Sequence, residues 1–486
     1  MSGVSIAFTM AACATGPSYH PVSTVPAGTT IRVASRADSV HAFFDSLASA
    51  HARDSAMLAR PAAAEHALAY DTTAGVAWLE ILHDTTLSRL VQMALRQNRT
   101  VQSAAARIRE YRANASIARS YQYPTLTING SESTNQVAPG FIPPVSYRAA
   151  RLTGDMAWEL DFWGKYRRGY EAANADVASQ EAAERAVLLS LVSDVSSGYL
   201  QLLELDQERT IASRTLASRR ATLDIARQRF ASGITSELDV RQFEAQVAAP
   251  AVTLAQVERQ EALAEHNLSV LLGQAPGRIE RHGTLSEAVR TLRVPDSLSA
   301  ALLARRPDVQ QAERALAAAT ARIGATMASN LPTFTIVGSY GGQTPTPSKL
   351  LGNDSRIYQL SAGFSFPFSA LTRGASATDA ARARAEQARA NYEQAALSAL
   401  RDANDAMVGV RTTRDEVTAQ FTQAEALRHA LELAELRYGS GIASYLDVLD
   451  AQRALFAAEL ALSQAQLRQV TAAVQLYKSL GGSWQP

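Results

Sequence analysis

Apolar residues recur at alternating spacings of three and four through Leu188, Leu191, Val195, Gly198, Leu202 and Leu205, and the rhythm returns at Leu460, Leu467, Val470, Val474 and Tyr477. That spacing marks helices that bury one stripe against other helices. The segment 168–230 contains no proline, and as one helix its 63 residues would extend roughly 95 Å at about 1.5 Å per residue. No globular core needs that length, so the stripe must meet other long helices, of which an intramolecular coiled coil is the simplest case. Small Ala and Ser side chains permit close contact on further faces. Pro250 is expected to break and kink the returning helix. Period-two alternation appears instead in Thr125-Leu126-Thr127-Ile128-Asn129 and in Leu360-Ser361-Ala362-Gly363-Phe364-Ser365-Phe366, which read as short, half-apolar strands.

The chain also repeats itself. Arg229-Phe230-Ala231-Ser232-Gly233-Ile234-Thr235-Ser236-Glu237-Leu238-Asp239-Val240 recurs as Arg437-Tyr438-Gly439-Ser440-Gly441-Ile442-Ala443-Ser444-Tyr445-Leu446-Asp447-Val448, an offset of 208 (437 − 229). The same offset pairs Pro124-Thr125-Leu126-Thr127-Ile128 with Pro332-Thr333-Phe334-Thr335-Ile336, and Leu272-Gly273 with Leu480-Gly481. Three separated matches on one offset indicate a tandem duplication. Each half is predicted to run helix, strand, loop, strand, then a very long helical region broken at the Gly-containing turn. In the first half a helix is expected from Leu87 to about Arg119, and in the second from Pro307 to Met327. Residues 1–12 read as a signal-peptide remnant, 13–77 as an extended N-terminal segment, 78–276 as repeat 1, 277–297 as a linker and 298–484 as repeat 2.

Four such strands cannot close a membrane barrel, for which about eight are needed. Open edges in lipid would leave backbone groups unpaired. Three chains contributing four strands each would pair every edge, and the same threefold operation would gather the long helices into a second cylinder. Aromatic residues collect near the strand ends, including Trp158, Phe162, Trp163, Phe366 and Phe368, as in an interfacial girdle. The alternative is one small soluble sheet with those aromatics as its core.

Composition narrows the choices. With 486 residues, 47% hydrophobic and 19% charged, the chain can build real cores. Its 47 basic and 46 acidic side chains leave a formal charge of +1, and no basic stripe suggests nucleic-acid binding. No run of about 18 apolar residues follows the first dozen positions, so a spanning helix is not expected. The single cysteine, Cys13, excludes disulfides and thiolate clusters. It follows the short apolar stretch Val4-Ser5-Ile6-Ala7-Phe8-Thr9-Met10-Ala11-Ala12, as in a bacterial lipoprotein cleavage site, so a covalent lipid is expected there. No Lys or Arg precedes it, which a start placed too far downstream would explain; the plain reading is an inert cysteine. No phosphate-binding loop, zinc-binding HExxH, GxSxG or dinucleotide fingerprint is visible, so neither an enzyme nor a cofactor or metal site is expected.

These residues resemble a known family. Gly16-Pro17-Ser18-Tyr19 after Cys13, Trp78 opening a helix through Leu95, Asn98 and Val101, Trp158-Glu159-Leu160-Asp161-Phe162-Trp163-Gly164, Arg305-Arg306-Pro307-Asp308-Val309, Ala451-Gln452-Arg453 and the closing Tyr477-Lys478-Ser479-Leu480-Gly481-Gly482-Ser483-Trp484 occur in the order found in the TolC-like outer-membrane factors. The chain looks like their OprM/NodT-type lipoprotein branch from Cys13 to Trp484. The resemblance implies a mainly α, tandem-duplicated protomer of a homotrimer, with a 12-stranded transmembrane β-barrel, a long periplasmic α-helical barrel and an equatorial domain that would include the linker. It implies a lipid-anchored outer-membrane location in a Gram-negative bacterium, and a passive efflux duct. The implied partners are a periplasmic adaptor and an inner-membrane pump, expected to be of the resistance-nodulation-division type.

The resemblance also places the adaptor at the hairpin tips, where Arg229, Gly233, Ser236, Leu238, Asp239, Arg437, Tyr438, Gly441 and Ser444 lie. Helical spacing puts Leu446, Asp450 and Arg453 on one face with Asp447 beside them. In the family, matching acidic side chains project into a closed aperture, so three copies of Asp447 and Asp450 would favour cations. The plain alternative is solvated charge near a helix start, where Asp suits the dipole. Gln242 stands in the first repeat where Asp450 stands in the second, so the acidic lining is expected from the second half. Arg229, Arg437 and Tyr438 are candidate latch residues. Two further readings stay open: a duct for protein secretion, and a soluble coiled-coil scaffold.

Overall fold

The computed structural model describes residues 16–19, 30–31, 84–137, 145–291, 298–299, 304–440, 442 and 444–482. Cys13, Trp78 and Gly441 lie outside them. The helices are α1 (Thr85–Gln97), α2 (Arg99–Ser120), α3 (Lys165–Ala231), α4 (Glu237–Leu271), α5 (Leu285–Thr291), α6 (Pro307–Ser329), α7 (Ala370–Gly439) and α8 (Tyr445–Ser479). The strands are β1 (Thr30–Ile31), β2 (Thr125–Val137), β3 (Val145–Leu160), β4 (Leu298–Ser299), β5 (Thr333–Thr344) and β6 (Arg356–Ser365). Moved by 208, the start of β2 falls on that of β5, the start of α2 on that of α6, the end of α3 on that of α7, and both ends of α4 on those of α8.

The duplication extends to individual hydrogen bonds. Ser236 and Ser444 are the N-caps of α4 and α8, and each forms a capping box with the Asp three residues on. The preceding helices end alike, with Ile234 N donating to Arg229 O and Ile442 N to Arg437 O. Both are the six-to-one bond of a Schellman turn, and Gly233 supplies the left-handed φ of +72° it requires.

Two helices differ from the sequence expectation. The stretch from Leu87 to Arg119 is broken at Asn98, whose N–H closes α1 on Ala94 O while its Oδ1 accepts from Thr100 N and Val101 N to start α2. Its Nδ2 donates to Leu271 O at 2.8 Å, so one side chain serves three backbone groups. Pro250, by contrast, does not end α4. The carbonyl of Gln246, deprived of the N–H that residue 250 would normally provide, accepts from Arg219 Nη1 at 2.8 Å. The linker also departs from a plain connection, since it contains α5.

The chain divides into two compact units. One, built from residues 1–22, 106–182 and 310–394, holds the four-stranded sheet, ordered β2-β3-β5-β6 and antiparallel throughout. Its register sets Thr125 opposite Ala157, Leu160 opposite Phe334 and Thr333 opposite Ser365. In the same unit Gly16 lies so close to α6 that a Cβ on it would meet Gly324 Cα at 2.3 Å. Arg168 Nη2 donates to Gly16 O and Ser18 Oγ, and the Tyr19 hydroxyl donates to Glu313 at 3.1 Å.

The second unit comprises residues 23–105, 183–309 and 395–486. Its core gathers Leu87, Leu90 and Val91 with Val195, Tyr199, Leu202, Leu268, Val470, Val474 and Tyr477. Against the sequence expectation, α3 alone among the described residues is long and apolar enough by composition to cross a membrane. Half of its apolar window is buried, and its Leu191, Val192, Val195, Leu200 and Leu203 sit in this core, which accounts for the apolarity. Tyr199 is fully buried, with its hydroxyl 2.6 Å from Asp84 Oδ2 and 2.8 Å from His282 O. Arg281 binds three carboxylates, Asp206, Glu261 and Glu265, which together hold its guanidinium charged despite burial.

Candidate functional site

The sheet has two chemically distinct faces. Residues directly opposite in an antiparallel ladder share a face, so the register places Leu126 and Ile128 with Leu152, Met156, Trp158 and Leu160, then with Phe334, Ile336 and Tyr340, then with Tyr358, Leu360 and Phe364. Leu126, Ile128, Leu152, Tyr340, Tyr358, Leu360 and Phe364 are all exposed. The other face carries Thr125, Thr127, Asn129, Arg151, Thr153, Asp155, Ser339, Gln343, Gln359 and Ser361. Asp155 there accepts from Asn129 Nδ2 at 2.6 Å and from Thr153 Oγ1 at 3.1 Å. From Leu160 to Leu152 the apolar rows cover about 26 Å of strand at ~3.3 Å per residue. The Leu152 row ends in Arg356, and beyond it come Glu132 and Arg148, paired at 3.5 Å.

The aromatic residues singled out by sequence gather at the end of the sheet marked by Leu160, Phe334 and Ser365. Trp158 Nε1 donates to Gln122 O and Trp163 Nε1 to Pro332 O. Phe162 packs edge-on to Phe334, and Phe366 edge-on to Phe368. Tyr340 and Tyr358, directly opposite each other nearer the far end, form a second aromatic pair that the sequence reading did not select. Tyr358 alternates in phase with Leu360 and Phe364, but only the register sets Tyr340 opposite it.

At the hairpin turns the structure brings together two of the three candidate latch residues: Arg229 Nη1 donates to the Tyr438 hydroxyl at 3.0 Å, joining the α3–α4 hairpin to the α7–α8 hairpin. Tyr445 reinforces this junction by packing on both Phe243 and Tyr438. Burial, and then the neighbouring Tyr438, push the Tyr445 phenol well above its usual range. Arg437 contributes its backbone carbonyl to the turn. Leu238 and Leu446 stand exposed at matching positions, as do Ile234 and Ile442.

The residues expected at the aperture differ in their contacts. Asp447 Oδ2 accepts from Ser444 N at 3.1 Å and Oγ at 3.3 Å, as Asp239 does from Ser236, so helix capping alone accounts for both. Those hydrogen bonds, led by the Ser236 hydroxyl, draw the Asp239 carboxyl below its ordinary value. Asp450 has no such duty; it stands exposed, 3.8 Å from Arg453 Nη1. Arg453 Nε donates to Gln246 Oε1 at 3.1 Å, which ties α8 to α4. Sequence reasoning missed Gln246 and Arg219, whose pairing depends on a proline in the partner helix.

The profile of the outer membrane efflux protein family matches this chain twice, over residues 90–274 and 298–482, two segments offset by the same 208 positions. The chain belongs to that family. It is 31% identical over 413 residues to the probable efflux pump outer membrane protein TtgC of Pseudomonas putida, covering 84% of this chain and 85% of that one. It is 29% identical over 408 residues to the probable outer membrane lipoprotein SilC of Salmonella typhimurium, covering 84% and 88%. Its fold matches a crystal structure of CusC, described in terms of transmembrane channel formation, with a TM-score of 0.79 at 27% identity over 88% of this chain and 99% of that one. The protein is therefore an outer-membrane efflux channel of TolC-like fold, and its family is one of transport ducts rather than of enzymes.

Proposed function

We propose that three copies of this chain join their sheets edge to edge as a 12-stranded barrel in the outer membrane. Their helical hairpins then surround a periplasmic duct through which small molecules pass outward passively. The observation that carries this reading is the open, two-faced sheet. Its outer strands, the 13-residue β2 and the 10-residue β6, run in opposite directions, so β6 of one copy can meet β2 of the next and keep the ladder antiparallel. Closure pairs every backbone group, turns the apolar face to lipid and the polar face to the lumen.

The finer assignments follow the same scheme. A periplasmic adaptor docks on the hairpin turns, where exposed Ile234, Leu238, Ile442 and Leu446 provide apolar contact. An inner-membrane pump, of the resistance-nodulation-division type, supplies the cargo; the efflux-pump name of TtgC supports a pump partner. Asp450, with Leu446 and Arg453 on its face and the capping residue Asp447 beside them, supplies the acidic lining of the aperture, and adaptor binding favours the open state. Cys13 carries the lipid; the lipoprotein name of SilC and the seating of Gly16–Tyr19 on α6 support an anchor there. Native mass spectrometry of detergent-extracted protein tests the whole scheme. A three-chain mass is expected, and a monomer that conducts in planar bilayers would overturn it.

A further inference from the structure

Several partly shielded carboxylates in the helical unit, and the buried Glu459, meet an arginine. Asp206, Glu261 and Glu265 share Arg281, Glu459 takes Arg214 and Arg428, and Asp402 takes Arg306. Glu204 and Glu208 are the exception. They lie one turn apart on α3, 5% and 7% exposed, and among the described residues neither makes an ion pair. Glu204 Oε1 is buried without a partner, as is Oγ of Ser463, a fully buried residue of α8. Glu208 Oε1 accepts from Gln464 Nε2, also on α8, at 3.0 Å. The cation that bears on Glu204 is Arg468 of α8, and it is committed to Glu416 of α7 at 2.6 Å.

Two like charges one turn apart on buried side chains repel, and burial disfavours the ionised form of each. A proton relieves the conflict without needing room for an ion, and it gives one carboxyl a donor that the other can accept. The seam is the contact between hairpins: beside Glu208 and Gln464, Gln207 Nε2 of α3 reaches Gln466 Oε1 of α8 at 3.0 Å. We propose that Glu204 and Glu208 hold one proton between them as a lock joining the first hairpin to the second, and that mildly alkaline medium releases it. Burial foremost, then the hydrogen bond and charge of Glu208, push the Glu204 carboxyl up to about 8. Loss of the proton leaves two carboxylates facing Ser463, Gln464 and Arg468, and the seam must admit water or part. Its effect on conduction rests on the duct reading above.

The test compares wild type with Glu204→Gln and Glu208→Gln, which keep size and hydrogen bonding but cannot both ionise. In the full-length detergent-extracted protein, infrared difference spectra should show a carboxylic C=O band lost with a midpoint near 8 and absent from E204Q. Amide hydrogen exchange in α3 and α8 around these residues should accelerate across that titration beyond intrinsic base catalysis, in wild type alone. Planar-bilayer conductance should rise several-fold over the same interval in wild type and stay flat in both variants. A band that titrates as an ordinary carboxyl, or that survives in both variants, overturns the shared proton. Unchanged seam exchange while the band titrates overturns the lock. A monomer showing both band loss and seam opening would sink the duct reading and leave this one standing.

Discussion

Arg219 supplies, from another helix, the hydrogen-bond donor that Pro250 cannot: its Nη1 lies 2.8 Å from the Gln246 carbonyl that an N–H at position 250 would otherwise engage. The arrangement gives a role to a buried arginine that, among the described residues, meets no carboxylate. Its guanidinium also faces the Phe456 ring at 5.5 Å, while burial, and then nearby Arg453, draw its pKa below the ordinary arginine value. Arg219→Met should destabilise the wild-type protein by leaving a buried carbonyl unpaired. In a Pro250→Ala background the alanine N–H can take that carbonyl, so the same substitution should cost less. A double-mutant cycle by thermal unfolding should give a coupling of about 1–2 kcal/mol. Additive effects would refute the compensation.

The bond between Arg229 and Tyr438 joins two hairpins at their turns, and any motion that separates the turns must break it. Tyr438→Phe removes the hydroxyl while leaving the ring against Tyr445. A bond of about 0.5–1.5 kcal/mol corresponds to a shift of roughly two- to tenfold in the ratio of open to closed states. Single-channel recordings should show that increase in open probability. Equal records for Y438F and wild type would mean the contact does not restrain opening.

How far the sequence discloses such relationships depends on where their causes lie. The duplication was legible because both turns use the same N-cap serine and capping aspartate, so one local geometry is written in matching letters 208 positions apart. The two faces of the sheet were legible in part, since alternation identifies a strand but only register shows that Leu126, Met156, Tyr340 and Tyr358 fall on one face. The break at Asn98 left no proline or glycine to announce it, because the side chain itself closes one helix and opens the next. Pro250 was misread for the opposite reason: the penalty is local, but the compensating Arg219 comes from α3. The pairing of Glu204 with Glu208 could be suspected from their spacing, but the lack of a cation opposite them is a property of packing.

Asp447 and Asp450 should prove separable. Asp447 is committed to the Ser444 capping box, whereas Asp450 is exposed and only loosely associated with Arg453. Asp447→Ala should therefore lower thermal stability, by about 0.5–1 kcal/mol per copy, with little change in ion preference. Asp450→Asn should leave stability nearly unaltered and weaken the cation preference measured from reversal potentials in a salt gradient. Equal losses of selectivity in the two variants would place both carboxylates at the aperture.

The acid pair makes a prediction about stability as well as motion. Burial, and then Glu208, push the Glu204 carboxyl in the fold from its ordinary 4.5 up to about 8. Below the lower value both folded and unfolded chains are protonated and the contribution is complete. Between the two the unfolded chain sheds a proton that the fold retains, so stability declines as pH rises and the contribution is gone above the folded value. The melting temperature of wild type should thus fall relative to that of E204Q as pH is raised from about 5 to about 8. Parallel profiles would show that Glu204 ionises alike in both states.

The two faces of the sheet differ in what they tolerate. Leu360 and Ser361 are adjacent on β6, one on the apolar face with Met156 and Tyr340, the other on the polar face with Val337 and Asp155. Leu360→Arg would set a guanidinium against hydrocarbon, at a cost of roughly 2–4 kcal/mol per copy near the bilayer midplane. Across three copies that loss should prevent insertion, leaving protein that is not recovered with outer membranes and exports nothing. Ser361→Arg would add a charge to a wet lumen, where it should be accommodated and should shift ion selectivity toward anions. Fractionation of cells expressing each variant, followed by bilayer recording of whichever inserts, distinguishes the faces. Normal insertion of L360R with exclusion of S361R would require the sheet to be turned inside out.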